Sequence, residues 1–234
     1  MFNQDQPQGA DVFGRFLTLP EQRKLLGTLK QYSSEVARRD GATIRLLIGS
    51  GMRIGECLAT SVGDAVAALQ TGYLFIPKER RKGEACDLSV LLTKSVRQAL
   101  TELLDLRDGA EMDEALIVSR KSKGRGWSAL TVRCFEQRVT IWGNLAGLPE
   151  GVSPHWFRHT HAKNIMRNSE AADPLRVAQI SLGQKSRRST EIYTKLDREE
   201  LESALHNVDE KVSGKPRLRV ADLRKMHEER KVAA

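Results

Sequence analysis

Along most of its 234 residues the chain repeats apolar residues at helical spacing, and that rhythm gives way to a pair of β-prone runs. These are Tyr73–Pro77 and Leu88–Leu92, separated by the basic, glycine-containing segment Lys78–Gly83. Two such runs with a polar connection predict an antiparallel hairpin with a charged tip. Before it, Thr18 and Glu21 form a capping box with Pro20 in the first turn, opening a helix through Leu25, Leu26 and Leu29. A second helix is predicted from Ser34 to Leu47, stopped by Gly49 and Gly51, and a short helical piece from Ile54 to Thr60. After the hairpin, helical spacing returns from Thr93 through Val96, Leu100, Leu103 and Leu104. Leu116–Val118 reads as a short strand or an extended segment leading into a basic loop. Helices follow over Ala129–Leu145, from Ser153–Pro154 through Ile165, and over Pro174–Leu182, with further helical pieces at Thr190–Tyr193 and Arg198–Val212. The fold class is therefore α+β, mostly α-helical with a small antiparallel β-sheet.

The composition narrows the partners. The hydrophobic fraction of 40% and charged fraction of 29% are those of a globular protein and exclude global disorder. No apolar run approaches the roughly 20 residues that cross a bilayer, and the N-terminal stretch lacks the pattern of a signal peptide. No membrane partner and a cytoplasmic location are expected. Three cysteines without a CxxC spacing predict reduced thiols rather than disulfides or a thiolate zinc site. A net charge of +8 favours a polyanion, nucleic acid being the commonest.

Four pieces carry chemistry together. They are Gly51–Met52–Arg53–Ile54–Gly55–Glu56 at a helix junction and Lys82–Gly83 on the hairpin tip. Next come His155–Trp156–Phe157–Arg158–His159–Thr160 near a helix start, and Leu182–Gly183–Gln184 with Tyr193 nine residues beyond Gln184. In this order and spacing they resemble the tyrosine recombinase (phage integrase) family. The resemblance covers residues 17–196 and identifies a catalytic core of that fold.

What it implies is metal-free cleavage and rejoining of double-stranded DNA through a 3′-phosphotyrosyl bond, with no cofactor. A phenol of pKa about 10 is scarcely ionised at neutral pH, so cationic surroundings must favour its attack on phosphorus. By resemblance Tyr193 is the nucleophile, and Arg53 and Arg158 grip the non-bridging oxygens in the fork geometry that lysine lacks. Lys82 is the general acid toward the departing 5′-oxygen, with Lys78 the neighbouring alternative. His155 is the acid/base partner or hydrogen-bond donor, Glu56 fixes an arginine, and His159 supports. The family carries His or Trp where this chain has Gln184, which donates a hydrogen bond but carries no charge. His155, His159 and His161 suggest zinc by residue type, yet no acidic or thiolate fourth ligand accompanies them, and no metal is expected. Arg120, Lys121, Lys123 and Arg125 form a basic loop, read either as a DNA-backbone contact or as a solvated turn. Trp127, Trp142 and Trp156 read as core.

Residues 1–17 read as an arm, 18–197 as the catalytic domain and 198–234 as a C-terminal helical tail. In the family such a tail docks onto a neighbouring subunit, and Leu201, Ala204, Leu205 and Val208 make a face for that or for packing on the chain's own domain. Self-association as a tetramer on DNA and accessory DNA-bending proteins follow from the resemblance. A second reading is a DNA-binding regulator with the same fold and little turnover.

Overall fold

The computed structural model describes residues 15–82, 86–119 and 128–184. The chain opens with helix α1, Leu19–Lys30, where Thr18 and Glu21 cap each other: the Thr18 N–H donates to the Glu21 carboxylate at 2.8 Å and Thr18 Oγ1 accepts from the Glu21 N–H. Helix α2, Glu35–Ser50, is capped by Ser34. It runs on through Gly49, contrary to the expected stop, and ends at Gly51, whose φ of 65° suits a left-handed helix terminus. Helix α3, Ile54–Leu58, follows at once.

Helix α4, Val62–Thr71, went unread in the sequence although its capping box is present. The Asp64 N–H donates to Ser61 Oγ at 3.0 Å, and the Ser61 N–H to Asp64 Oδ2 at 2.9 Å. Strands β1, Tyr73–Ile76, and β2, Leu88–Leu91, form the expected antiparallel hairpin, with Tyr73 opposite Leu91 and Ile76 opposite Leu88. Leu74, Ile76, Leu88 and Val90 face inward, while Tyr73, Phe75 and Leu91 are exposed.

The remaining helices are α5 (Lys94–Asp105), α6 (Val132–Leu145), α7 (Pro154–Asn168) and α8 (Pro174–Ser181). Helix α6 starts later than Ala129 because Thr131 caps it and Ala129 instead pairs with Val118 in an isolated bridge. Thus the fold is mostly helical with a small antiparallel sheet.

Helix α2 lies at the centre, packed against α1, α5 and α7. Its Ile44, Leu46 and Leu47 join Leu25, Val96, Leu100, Leu103, Phe135 and Phe157 in one buried core. Trp142 and Trp156 are buried, as read; Trp127 lies outside the described residues. Asp40, fully buried, accepts from Arg39 (2.7 and 3.0 Å), Arg138 Nε (2.6 Å) and Trp142 Nε1 (2.8 Å), tying α2 to α6. Arg39 also donates to the Val118 carbonyl at 2.7 Å. Leu17, in the segment read as an arm, is buried, and its N–H donates to Thr160 Oγ1 at 2.8 Å. Among the described residues no helix is long and apolar enough to cross a membrane.

Candidate active site

The α2–α3 junction, the hairpin, the start of α7 and the end of α8 meet around two arginines. Gly51 makes the first approach possible. A methyl group there would stand 2.5 Å from His161 Cδ2 and 2.8 Å from Leu182 Cδ2, so only glycine lets α2 end this close to α7 and α8. The turn then delivers Arg53, whose guanidinium donates to Glu56 Oε1 at 3.0 Å while its backbone N–H donates to Glu56 Oε2 at 2.9 Å. The Arg53 side chain keeps 40% of its surface exposed and so stays open to an external anion.

Arg158 is buried on α7. It donates to the Gly51 carbonyl at 2.6 Å and to the Leu182 carbonyl at 3.1 Å. Both acceptors sit at helix C-termini, where unsatisfied carbonyls and the helix dipole favour a cation. Leu182 leads into Gly183, at φ 58°, and then Gln184, whose N–H donates to the Gln179 carbonyl at 3.0 Å. Gln179 Nε2 in turn donates to the Gln184 carbonyl at 3.1 Å, so the turn is held from both directions.

His155 stands at the first turn of α7, where Ser153 makes no side-chain cap and the helix N-terminus favours negative charge. Although its ring reaches solvent, desolvation by the protein around it, then the Arg158 and Arg53 charges, lower its pKa below the ordinary 6.5. The ring is therefore neutral at neutral pH and able to accept a proton. His159 lies one turn further, its ring edge-to-face with His155 at 4.4 Å, and burial with the neighbouring His155 and Arg158 charges pushes its pKa down to about 4. Burial would raise the Glu56 pKa, but the Arg53 N–H and the Arg81 guanidinium outweigh it and hold the carboxyl below its ordinary 4.5.

Of the residues singled out from the sequence, Arg53, Glu56, His155, Arg158, His159 and Gln184 are gathered here. Lys82 is exposed on the connection between the strands and makes no ion pair among the described residues. Lys78 is exposed at the start of a single 3-10 turn, its N–H donating to Asp87 Oδ1 at 2.8 Å. Tyr193, the basic loop with Arg120, Lys121, Lys123 and Arg125, and the tail 198–234 lie outside the described residues. Among the described residues no group of three or more His, Cys, Asp or Glu side chains could hold a metal ion.

Two residues that the sequence reading gave no part in the site join it here. His161, buried, bonds through Nδ1 to the Ile48 carbonyl at 3.0 Å and through Nε2 to Ser181 Oγ at 2.7 Å, linking α2 to α8. Burial above all drives its pKa down to about 4. Its signal was its position three residues after Arg158, on the same helix face. Arg81, fully enclosed, donates through Nε to Glu56 Oε1 at 3.0 Å and reaches the Leu182 carbonyl at 3.2 Å. The result is a circuit, Arg53–Glu56–Arg81–Leu182–Arg158–Gly51, in which the described residues set three guanidiniums around one carboxylate. Fixed positive charge of this kind suits a phosphate diester and the extra charge it gains under attack.

Residues 15–200 match the model of the phage integrase family. The tyrosine recombinase XerC of Neisseria meningitidis serogroup C (strain FAM18) is 32% identical over 162 residues, covering 69% of this chain and 48% of that protein. The XerC of Escherichia coli O157:H7 is 30% identical over 174 residues, 72% of this chain and 52% of its own length. The chain thus spans about half the length of the curated relatives it matches. Among solved structures, XerA recombinase superposes with a TM-score of 0.68 at 24% identity, covering 87% of this chain and 66% of that one. XerH bound to its palindromic difH substrate gives 0.62 at 24% identity, over 86% and 55%.

Proposed function

Since the chain belongs to the phage integrase family, we propose that it carries the catalytic domain of a site-specific tyrosine recombinase, cleaving and rejoining duplex DNA without metal or cofactor. The observation that carries this reading is the circuit that links Arg53 to Arg158, more than a hundred residues apart in the chain, through the Glu56 carboxylate, Arg81 and the Leu182 carbonyl. Arg53 and Arg158 hold the non-bridging oxygens of the scissile phosphate. The Tyr193 hydroxyl attacks phosphorus and the phosphorus–O5′ bond breaks, forming a 3′-phosphotyrosyl ester. The phenolic proton passes to neutral His155, and the Lys82 ammonium protonates the departing O5′. Gln184 donates a neutral hydrogen bond to the phosphate; Glu56 and His159 steady the arginine and His155. Rejoining runs the same steps backward with a new 5′-hydroxyl.

The net charge of +8, and neighbours captured on their own DNA sites such as XerH, support duplex DNA as the partner and a cytoplasmic place of action. The loop bearing Arg120, Lys121, Lys123 and Arg125 contacts the DNA backbone. The 198–234 tail links copies into a tetramer on DNA, with DNA-bending accessory proteins arranging the sites. A nicked duplex that loses its 5′-hydroxyl fragment on cleavage traps the covalent complex. The wild-type chain should accumulate adduct and Tyr193→Phe none; adduct from both overturns the nucleophile, and adduct from neither favours a regulator that only binds DNA.

A further inference from the structure

Five consecutive charged residues, Lys78 to Lys82, fill the connection between the strands, and one of them turns inward. The Arg81 side chain is fully enclosed. Its Nε meets Glu56 Oε1 at 3.0 Å on α3, one terminal nitrogen meets the Cys86 carbonyl on the far arm of the hairpin, and the other meets the Leu182 carbonyl at 3.2 Å beyond α8. At Gly183 the fit is so close that a methyl group would stand 2.7 Å from the guanidinium nitrogens. Leu182's carbonyl is shared with Arg158, at 3.1 Å.

We propose that Arg81 is a positioning residue for strand cleavage, fixing Lys82, its chain neighbour, against the elements that carry Arg53, Arg158 and Gln184. The inference rests on the reading above that Lys82 protonates O5′. A lysine on a charged hairpin tip samples many positions, whereas a general acid must stand within hydrogen-bond reach of its target. Arg81 removes that freedom one residue away, because a planar fork can bond a carboxylate and carbonyls on separate segments at once; an ammonium on a flexible stem cannot span them. Being enclosed, Arg81 has no surface with which to grip a phosphate itself. Its loss should therefore slow proton delivery and leave DNA affinity unchanged.

The test is single-turnover cleavage of two nicked duplexes, one with the ordinary O5′ and one with sulfur in its place. A thiol, with pKa about 8.5, departs as the anion without a proton, so a defect in proton delivery vanishes on the sulfur substrate. Lys82→Ala serves as the reference, and Arg81→Lys keeps the charge while losing the fork. We expect Arg81→Lys to cleave the oxygen substrate about 10²-fold slower than wild type, the scale set by a misplacement of about 1 Å. On the sulfur substrate it should return to the wild-type rate, as Lys82→Ala does, with DNA affinity unchanged. Arg81→Gln, read the same way, replaces it if the lysine variant fails to fold. If Lys82→Ala is rescued by sulfur while the Arg81 variants stay slow on both substrates, Arg81 only holds the fold together and the inference is wrong. Wild-type rates for the Arg81 variants on the oxygen substrate also overturn it. Rescue of neither Lys82→Ala nor the Arg81 variants removes the Lys82 role itself, and the inference with it.

Discussion

Replacing Glu56 by glutamine is the sharpest probe of the circuit, because shape is kept while one charge is lost. The carboxylate accepts from Arg81 Nε and from the Arg53 guanidinium, each at 3.0 Å, and from the Arg53 N–H at 2.9 Å. Glutamine has one oxygen and one NH2, so whichever way it is turned, a donor faces a donor. The Arg81 pair is the costly one: its side chains are 0% and 2% exposed, and removing one partner of a buried pair costs about 3–5 kcal/mol. The Arg53 pair, with its arginine 40% exposed, adds about 0–1 kcal/mol at most. At roughly 2–4 °C per kcal/mol for a domain of this size, the Tm of Glu56→Gln should fall by about 6–24 °C at neutral pH. Thermal unfolding followed by circular dichroism measures it. Since the folded carboxyl titrates below 4.5, its contribution is complete above the unfolded value and is lost as pH falls through the folded one. Wild type and variant should therefore converge only in acid. A Tm shift under about 2 °C at neutral pH, or a gap undiminished near pH 3, would refute the ledger for this pair.

Asp40→Asn leaves Arg39 and Arg138 without their shared anion, on the part of α2 tied to α6 rather than at its end in the candidate site. Chemical denaturation should show a loss of about 3–5 kcal/mol, with the cleavage rate per folded molecule unchanged. His159 and His161 titrate near 4 when folded and near 6.5 when not, so the unfolded chain binds more protons between those values. Stability should fall as pH drops from 6.5 to 4, by up to about 1.4 kcal/mol per pH unit for each histidine, and His161→Gln should flatten the slope. Gln184→His puts a group that can carry charge where Gln184 is proposed to meet the phosphate and should raise the single-turnover cleavage rate; an unchanged rate would deny this position a catalytic part.

Features written in local rules were legible in the sequence. The hairpin showed in its β-prone runs, and α1 in Thr18 and Glu21. Helix α4 was equally local, yet its Ser61–Asp64 capping box passed unread. Arg53, Glu56, His155, Arg158, His159 and Gln184, which the fold gathers, could be singled out because each box has a fixed residue order, and four of them together discriminate where one does not. What stayed hidden depends on partners distant in sequence. Nothing in the local sequence marks Asp40 as buried, and only the fold brings Arg138 and Trp142 onto it from α6. Likewise nothing local separates Arg81 from Arg80: one turns in to Glu56, the other out to Asp64 on α4. That choice is made by packing.

Arg158 bonds the last carbonyls of two helices, besides the phosphate grip proposed for it. A descendant that abandoned strand cleavage would still be selected to keep an arginine there, simply to stay folded. Retention of this side chain among relatives is thus poor evidence of activity, and substitutions at it will present as low solubility or yield before any kinetic defect can be read.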